Sequence, residues 1–100
     1  MIDPWVHLND RCLSPHPAPV RADCVAIEWW PGRPLITSVR VRDFTCDCEK
    51  TYYELCQIGG MRFIRWIRIR RSGLISDECL PGRAAEIDDL WARLLLGAAR

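Results

Sequence analysis

The run from Met61 to Arg71, MRFIRWIRIRR, constrains the fold more than any other part of the chain, because its apolar and charged residues alternate. Such alternation is typical of a β-strand, whereas a helical period would scatter these apolar residues around the axis. The β-branched and aromatic residues of the run also favour a strand. The two faces of this strand are expected to carry, respectively, Phe63, Arg65, Ile67 and Ile69, and Arg62, Ile64, Trp66, Arg68 and Arg70.

Two further strands are predicted before this run. Asp23 to Trp30 alternates in the same way, and Pro31-Gly32 supplies a turn, because proline presets its own φ and glycine accepts a positive one. Leu35 to Thr45 is the second strand, and the two segments together predict an antiparallel hairpin. After the arginine-bearing strand, the turn Ser72-Gly73 leads to a short edge strand at Leu74-Ile75.

Two helices are also predicted. A short one runs from Glu49 to Ile58, with Asp47 as its N-terminal cap and Gly59 in the left-handed position that ends it. A longer one runs from Ala84 to Gly97, where apolar residues recur at steps of three and four and form one stripe. That stripe consists of Ile87, Leu90, Trp91, Leu94 and Leu95.

These elements predict a single α+β domain over residues 1–100, with a proline-rich irregular arm at 1–21 and a core at 22–97. The sheet is expected to have three or four largely antiparallel strands. The 49–58 helix would connect two strands, and the terminal helix would pack on one face. If the second and third strands pair directly, that connection makes the pair parallel and the crossover right-handed.

The six cysteines predict a metal site. In an extended chain Cys46 and Cys48 point to the same side, and Cys56 would add a third thiolate from the 49–58 helix, as tetrahedral zinc requires. Cys79 is the predicted fourth ligand, and Cys24, Cys12 or a histidine are alternatives. The competing interpretations are that the cysteines are buried thiols or that they carry redox chemistry.

The arginines predict a binding surface for nucleic acid or another polyanion. Net charge is only +1, but the segment from Leu55 to Ser76 holds five arginines and no acidic residue. Guanidinium groups would bind phosphates, and a ring could stack on a base for about 1–3 kcal/mol. The alternative is a solvated face whose arginines pair with carboxylates, namely Glu28, Glu49, Glu54 or the acidic residues at the start of the last helix. The predicted interface comprises Arg40, Arg42, Arg62, Trp66, Arg68, Arg70 and Arg71.

Three functions are consistent with these patterns. The first is a small accessory or regulatory protein that binds nucleic acid or an acidic protein partner. The second is a protein-interaction module that dimerises or docks through exposed tryptophans and the terminal helix, and the third is a thiol or metal sensor. Because no catalytic triad or H-E-x-x-H motif is present, we do not expect an enzyme. With neither a signal peptide nor a long apolar span in the sequence, we expect a cytoplasmic protein that has no membrane partner.

The segment from Cys46 to Arg65 follows the pattern C-D-C-x₄-Y-E-L-C-x₂-G-G-x₂-F-I-R. This pattern resembles a segment of short uncharacterised proteins from actinobacteria or their phages, and it covers about a quarter of the chain. It differs in cysteine spacing from the WhiB-type iron–sulfur regulators. The resemblance implies a bacterial or phage-borne origin and no particular activity.

Overall fold

Antiparallel strand pairing dominates the computed structural model, which describes residues 14–33 and 39–100. Six strands and one helix lie within these residues. They are β1 (Trp30–Pro31), β2 (Arg40–Phe44), β3 (Thr51–Ile58), β4 (Met61–Arg70), β5 (Gly73–Glu78), β6 (Gly82–Arg83) and α1 (Ala84–Leu95).

The strands form one sheet in the order β1-β5-β4-β3-β2, and β6 pairs with the beginning of β4. Each strand pair is antiparallel. The predicted α+β class with a C-terminal helix is therefore confirmed. The predicted sheet of three or four strands was too small, because β3 and the short strand β6 also belong to it.

The predicted helix at Glu49–Ile58 is wrong, because this segment forms strand β3. Ile58 pairs with Met61, so Gly59-Gly60 is a two-residue hairpin loop rather than the end of a helix. Gly59 has φ +57°, and glycine in the first loop position at positive φ suits a tight hairpin turn. Pairing with β4 along the whole of β3 satisfies the backbone of β3, and this outweighs the local capping signals.

The predicted hairpin between Asp23–Trp30 and Leu35–Thr45 is also wrong. Within the first segment Trp30 alone lies in a strand, β1, and β1 pairs with β5 instead of β2. Residues 35–38 of the second segment lie outside the described residues, and β2 covers its later part. Because β3 lies between β2 and β4 in the sheet, the predicted parallel crossover between them does not occur.

The arginine-bearing strand and the terminal helix lie where they were predicted. β4 spans Met61–Arg70, β5 extends the predicted edge strand, and α1 ends two residues before the predicted Gly97. Ile87, Trp91 and Leu94 of α1 are buried, and they form one core cluster with Leu55 and Ile64 of the sheet. The helix therefore covers the sheet face on which Ile64 lies.

Both faces of the sheet are covered at its centre. Phe63 and Ile64 are consecutive in β4 and point to opposite faces, yet each is 0% exposed. On the Phe63 face, the guanidinium groups of Arg33 and Arg65 lie over the phenyl ring, at 5.1 and 5.6 Å from its centroid. The residues of β4 thus alternate between two packed faces. Neither face is solvated at the centre of the sheet.

Residues 14–29, which we call the strap, run along residues 96–100, which we call the tail. Backbone amides of the strap donate to carbonyls at the end of α1 and in the tail: Ala18 to Leu95 at 2.8 Å, Arg21 to Gly97 at 2.9 Å and Val25 to Ala98 at 2.9 Å. The indole Nε1 of Trp29 donates to the carbonyl of Arg100 at 2.8 Å. These bonds hold the strap against the C-terminal end of the chain.

Candidate metal site

The loop between β2 and β3 is held rigidly where it leaves the sheet. Thr45 is 0% exposed, its amide donates to the carbonyl of Tyr53 at 2.9 Å, and its Oγ1 accepts the amide of Tyr53 at 2.9 Å. These two bonds set the direction in which the chain continues into Cys46 and Cys48. The two thiols are therefore placed by the sheet and not by the loop alone.

The strap meets this loop at Cys46. The amide of Cys46 donates to the carbonyl of Pro15 at 3.0 Å, which brings His16 next to the two thiols. The Nε2 atom of His16 lies 3.3 Å from Sγ of Cys48, and the amide of Cys48 donates to Sγ of Cys46 at 3.4 Å. One ligand atom from each of His16, Cys46 and Cys48 lies within 4.8 Å of the other two.

These separations suit a bound metal ion. With a zinc–sulfur distance of about 2.3 Å and a zinc–nitrogen distance of about 2.05 Å, a tetrahedral site places sulfur and nitrogen about 3.6 Å apart. The observed 3.3 Å between His16 and Cys48 is within a few tenths of an ångström of that value. Thiolate and imidazole are also the ligands that borderline-soft metals prefer. The cluster could therefore hold a metal ion.

Prolines on either side of His16 help to position it. Pro15 and Pro17 each fix their own φ, so the backbone around the imidazole has few alternative conformations to lose when the site forms. In the sequence, a histidine was one of several options for the fourth ligand, and His16 was not singled out among them. The two prolines that flank His16 were the sequence feature that could have indicated it as a ligand.

The other two predicted metal ligands lie elsewhere. Cys56 faces Phe63 across the β3–β4 pairing and is 0% exposed, and Sγ of Cys79 accepts the amide of Ile64 at 3.1 Å. Burial raises the pKa of the Cys56 thiol to about 11 and also raises the pKa of Cys79. Among the described residues, the group that could hold a metal contains neither of them. Both act as small core residues, as the buried-thiol alternative predicted.

Two arginines of the predicted nucleic-acid interface are engaged in ion pairs. Nη1 of Arg62 donates to both carboxylate oxygens of Asp88, at 2.6 and 2.7 Å. Nη2 of Arg68 donates to Asp77 at 2.6 Å, and its guanidinium lies 4.0 Å from the centroid of Trp66. The alternative interpretation of the arginines predicted pairing with the acidic start of the last helix, where Asp88 lies, but it did not predict Asp77 as a partner.

Trp66, the predicted stacking residue, is also occupied. Its Nε1 donates to Oγ1 of Thr51 at 2.8 Å, and its ring packs against Trp29 and Tyr53 with centroid separations of 5.5 and 6.3 Å. With Arg68 on the ring as well, the indole is part of an internal aromatic cluster.

The remaining predicted arginines are exposed but lie at two ends of the sheet. Arg40 is in the same cross-strand row as Arg62, near the first residues of β4, and Arg42 is close to it on β2. Arg70 and Arg71 lie at the other end of β4, eight residues or about 26 Å from Arg62 at the usual rise of a strand. The structure therefore does not bring the predicted interface together as one surface.

Comparisons of the chain with protein-family models, with curated proteins and with solved structures found no match. The resemblance to the actinobacterial segment stays a prediction. Within residues 14–33 and 39–100, no helix has both the length and the apolar composition needed to cross a membrane.

Proposed function

We propose that this chain is a small zinc-binding module in which His16, Cys46 and Cys48 hold the metal. The observation that carries the proposal is the convergence of an imidazole and two thiols from segments thirty residues apart, with each ligand atom within 4.8 Å of the others. Zinc is the metal that this mixture of nitrogen and sulfur ligands suits best. Zinc would supply no redox chemistry here; it would link the ligands.

The zinc would act as a structural cross-link between the strap and the sheet. His16 belongs to the strap, and both cysteines belong to the loop that follows β2. A cross-link that closes a loop of this length stabilises the folded state by about 3–4 kcal/mol when it is treated like a disulfide. The backbone bond from Cys46 to Pro15 holds the two segments in the same arrangement.

Cys12 is our candidate for the fourth ligand. It lies outside the described residues, four positions before His16 in the sequence. Four residues can span up to about 14 Å, which is ample for the chain to bring this thiol to the metal. A third thiolate would complete four protein ligands, the arrangement typical of structural zinc sites.

Metal analysis and native mass spectrometry of protein purified in zinc-containing buffer test the proposal. We expect one zinc ion per chain, and we expect the double variant Cys46→Ser with Cys48→Ser to bind none. Cys24→Ser is the matched control, because Cys24 lies on the strap but outside the cluster. Metal-free wild-type protein, or full zinc retention by the double variant, would refute the zinc site.

Cobalt substitution tests the fourth ligand separately. Thiolate-to-cobalt charge transfer gives an absorption whose intensity scales with the number of bound thiolates. Replacing Cys12 by Ala should therefore reduce it by about a third if three thiolates bind the metal. An unchanged intensity would exclude Cys12 while leaving the other three ligands in place.

Thiol sensing is a second candidate function for the same residues, favoured by the exposure of Cys48. Hydrogen peroxide would take two electrons from the two thiolates of the C-x-C pair. With two protons taken up from the solvent, the peroxide would be reduced to two water molecules, while the two sulfurs form a disulfide and release the zinc ion. Stoichiometric zinc release at low peroxide, reversed by a dithiol reductant, is the expected result. Zinc that stays bound until the protein unfolds would argue against sensing.

A further inference from the structure

The turn between β4 and β5 carries cations that the rest of the described protein leaves unneutralised. Arg70 and Arg71 are exposed, and neither forms an ion pair with any residue in the described ranges. Lys50 is also exposed. It lies beside the two arginines, because its carbonyl accepts the amide of Ile69 at 2.8 Å. We call Lys50, Arg70 and Arg71 the tip cations.

The arginines that come earlier in β4 differ from the tip cations in pairing and exposure. Arg62, Arg65 and Arg68 are each paired with a carboxylate and have side chains 17–20% exposed. In contrast, residues 69–76 include no acidic residue, and Glu49, the exposed neighbour of Lys50, forms no ion pair within the described ranges. Like charges at the tip repel one another, and a bound polyanion would relieve that repulsion.

Aliphatic side chains lie immediately behind the tip cations. Ile69 and Leu74 form a cross-strand pair on one face and are 38% and 67% exposed, and Ile75 is 44% exposed on the other face. Arg70 and Arg71 are thus at the end of the hairpin, and the apolar groups are one step further back, where Lys50 is level with Ile69. Insertion into a bilayer would require the reverse order, with the apolar groups deepest. This arrangement favours a ligand with anionic groups at its surface, because the two arginines would contact the ligand before the apolar side chains do.

We propose that the β4–β5 turn binds the phosphate backbone of duplex DNA through the tip cations. A two-stranded β-ribbon fits the major groove of B-DNA, which is about 12 Å wide, and arginine and lysine neutralise phosphates on its edges. Ile69 and Leu74 would then contact the sugars along the groove walls. This proposal narrows the seven-residue interface predicted from the sequence to Arg70 and Arg71 and adds Lys50.

The binding would be independent of DNA sequence. Trp66, the side chain best suited to stack on a base, is held by Thr51 and covered by Arg68. The tip cations would contact phosphates, and phosphate contacts carry no sequence information. Dissociation constants of about 10⁻⁴ to 10⁻⁶ M at physiological salt are therefore expected.

Fluorescence anisotropy with a short labelled duplex, measured from about 50 to 200 mM salt, tests the inference. Three phosphate contacts predict a slope of log K against log salt of about −2.7, and Arg70→Ala with Arg71→Ala should reduce its magnitude by about 1.8. Arg40→Ala with Arg42→Ala is the matched control, because these exposed arginines lie at the opposite end of the sheet. The control variant should bind like the wild type.

Several results would overturn the proposal. These are binding that does not depend on salt, an unchanged slope in the tip variant, and equal weakening in the control variant. Tighter binding to phosphatidylserine vesicles than to duplex DNA would identify a membrane surface instead. Tighter binding to a single strand, lost on Trp66→Ala, would restore base stacking as the mode of recognition. Zinc content is measured for every variant, so that loss of the metal site is distinguished from loss of DNA binding.

Discussion

Replacing Gly97 by alanine tests the packing of the strap against the tail directly. Gly97 has φ +76°, a left-handed conformation that alanine adopts at a cost of about 1–2 kcal/mol. A Cβ atom at this position would also lie 2.1 Å from the carbonyl oxygen of Pro19 and 3.1 Å from that of Ala18. The strap would have to move away by more than an ångström.

That movement breaks specific hydrogen bonds, and their loss determines how far the free energy of unfolding falls. The amide of Ala18 donates to Leu95 and the amide of Arg21 to Gly97 itself. Each bond contributes about 0.5–1.5 kcal/mol net, so the expected loss in the free energy of unfolding is about 2–5 kcal/mol. Because the strap also carries His16, the variant should bind zinc more weakly than the wild type.

Gly59→Ala is the matched control, since Gly59 has φ +57° but nothing lies within 4 Å of its added Cβ. Gly59→Ala should lose only the contribution of the left-handed conformation to the free energy of unfolding, about 1–2 kcal/mol, and should keep its zinc affinity. Urea unfolding followed by tryptophan fluorescence, together with a competitive zinc titration, measures both quantities. If Gly97→Ala is no less stable than Gly59→Ala, the strap does not pack on the tail as described and the reasoning fails.

Three further predictions concern the core and the metal. Burial raises the pKa of Cys56 from 9.0 to about 11. Between these values the unfolded chain loses a proton that the folded protein keeps, so stability should fall by about 2–3 kcal/mol from pH 9 to 11. Chemical unfolding of Cys56→Ala should show a smaller fall, and an equal fall would contradict the assignment. Thr45→Val leaves the buried amide of Tyr53 without its side-chain acceptor and should cost about 1–3 kcal/mol in urea unfolding, whereas Thr45→Ser should cost less. Chelation of zinc should loosen the strap and change the fluorescence of Trp29, and an unchanged spectrum with the metal removed would show that the strap holds without it.

The strands show what local patterns could and could not predict. β4 was predicted correctly because its residues alternate between the two faces of the sheet over ten positions, with β-branched and aromatic residues on both faces. For the residues of β3 the local pattern predicts a helix, because TYYELCQI is compatible with a half-buried helix and Asp47 resembles a cap. The pairing of β3 with β4 decides the outcome, and the two residues Gly59-Gly60 between two β-favouring runs were the signal for a hairpin.

The cluster that could hold a metal ion was predicted in part for a related reason. Cys46 and Cys48 are close in sequence, and their spacing alone places both thiols on one side. His16 reaches them through a tertiary bond between Cys46 and Pro15, which no local pattern encodes. The pairing of Arg62 with Asp88 is likewise set by how α1 crosses the sheet. Contacts of this kind follow from the packed fold and cannot be extracted from periodicity.

The long sequence separation between the strap and the tail also determines how the protein reaches its native state. Trp29 and Arg100 are 71 positions apart, and Ala18 and Arg100 are 82 apart, whereas β3, β4 and β5 are joined by very short turns. Loop closure favours the short-range hairpins in the folding transition state and leaves the strap to dock afterwards. Changes at the strap should therefore accelerate unfolding and leave the refolding rate nearly constant, so the strap sets the lifetime of the folded protein.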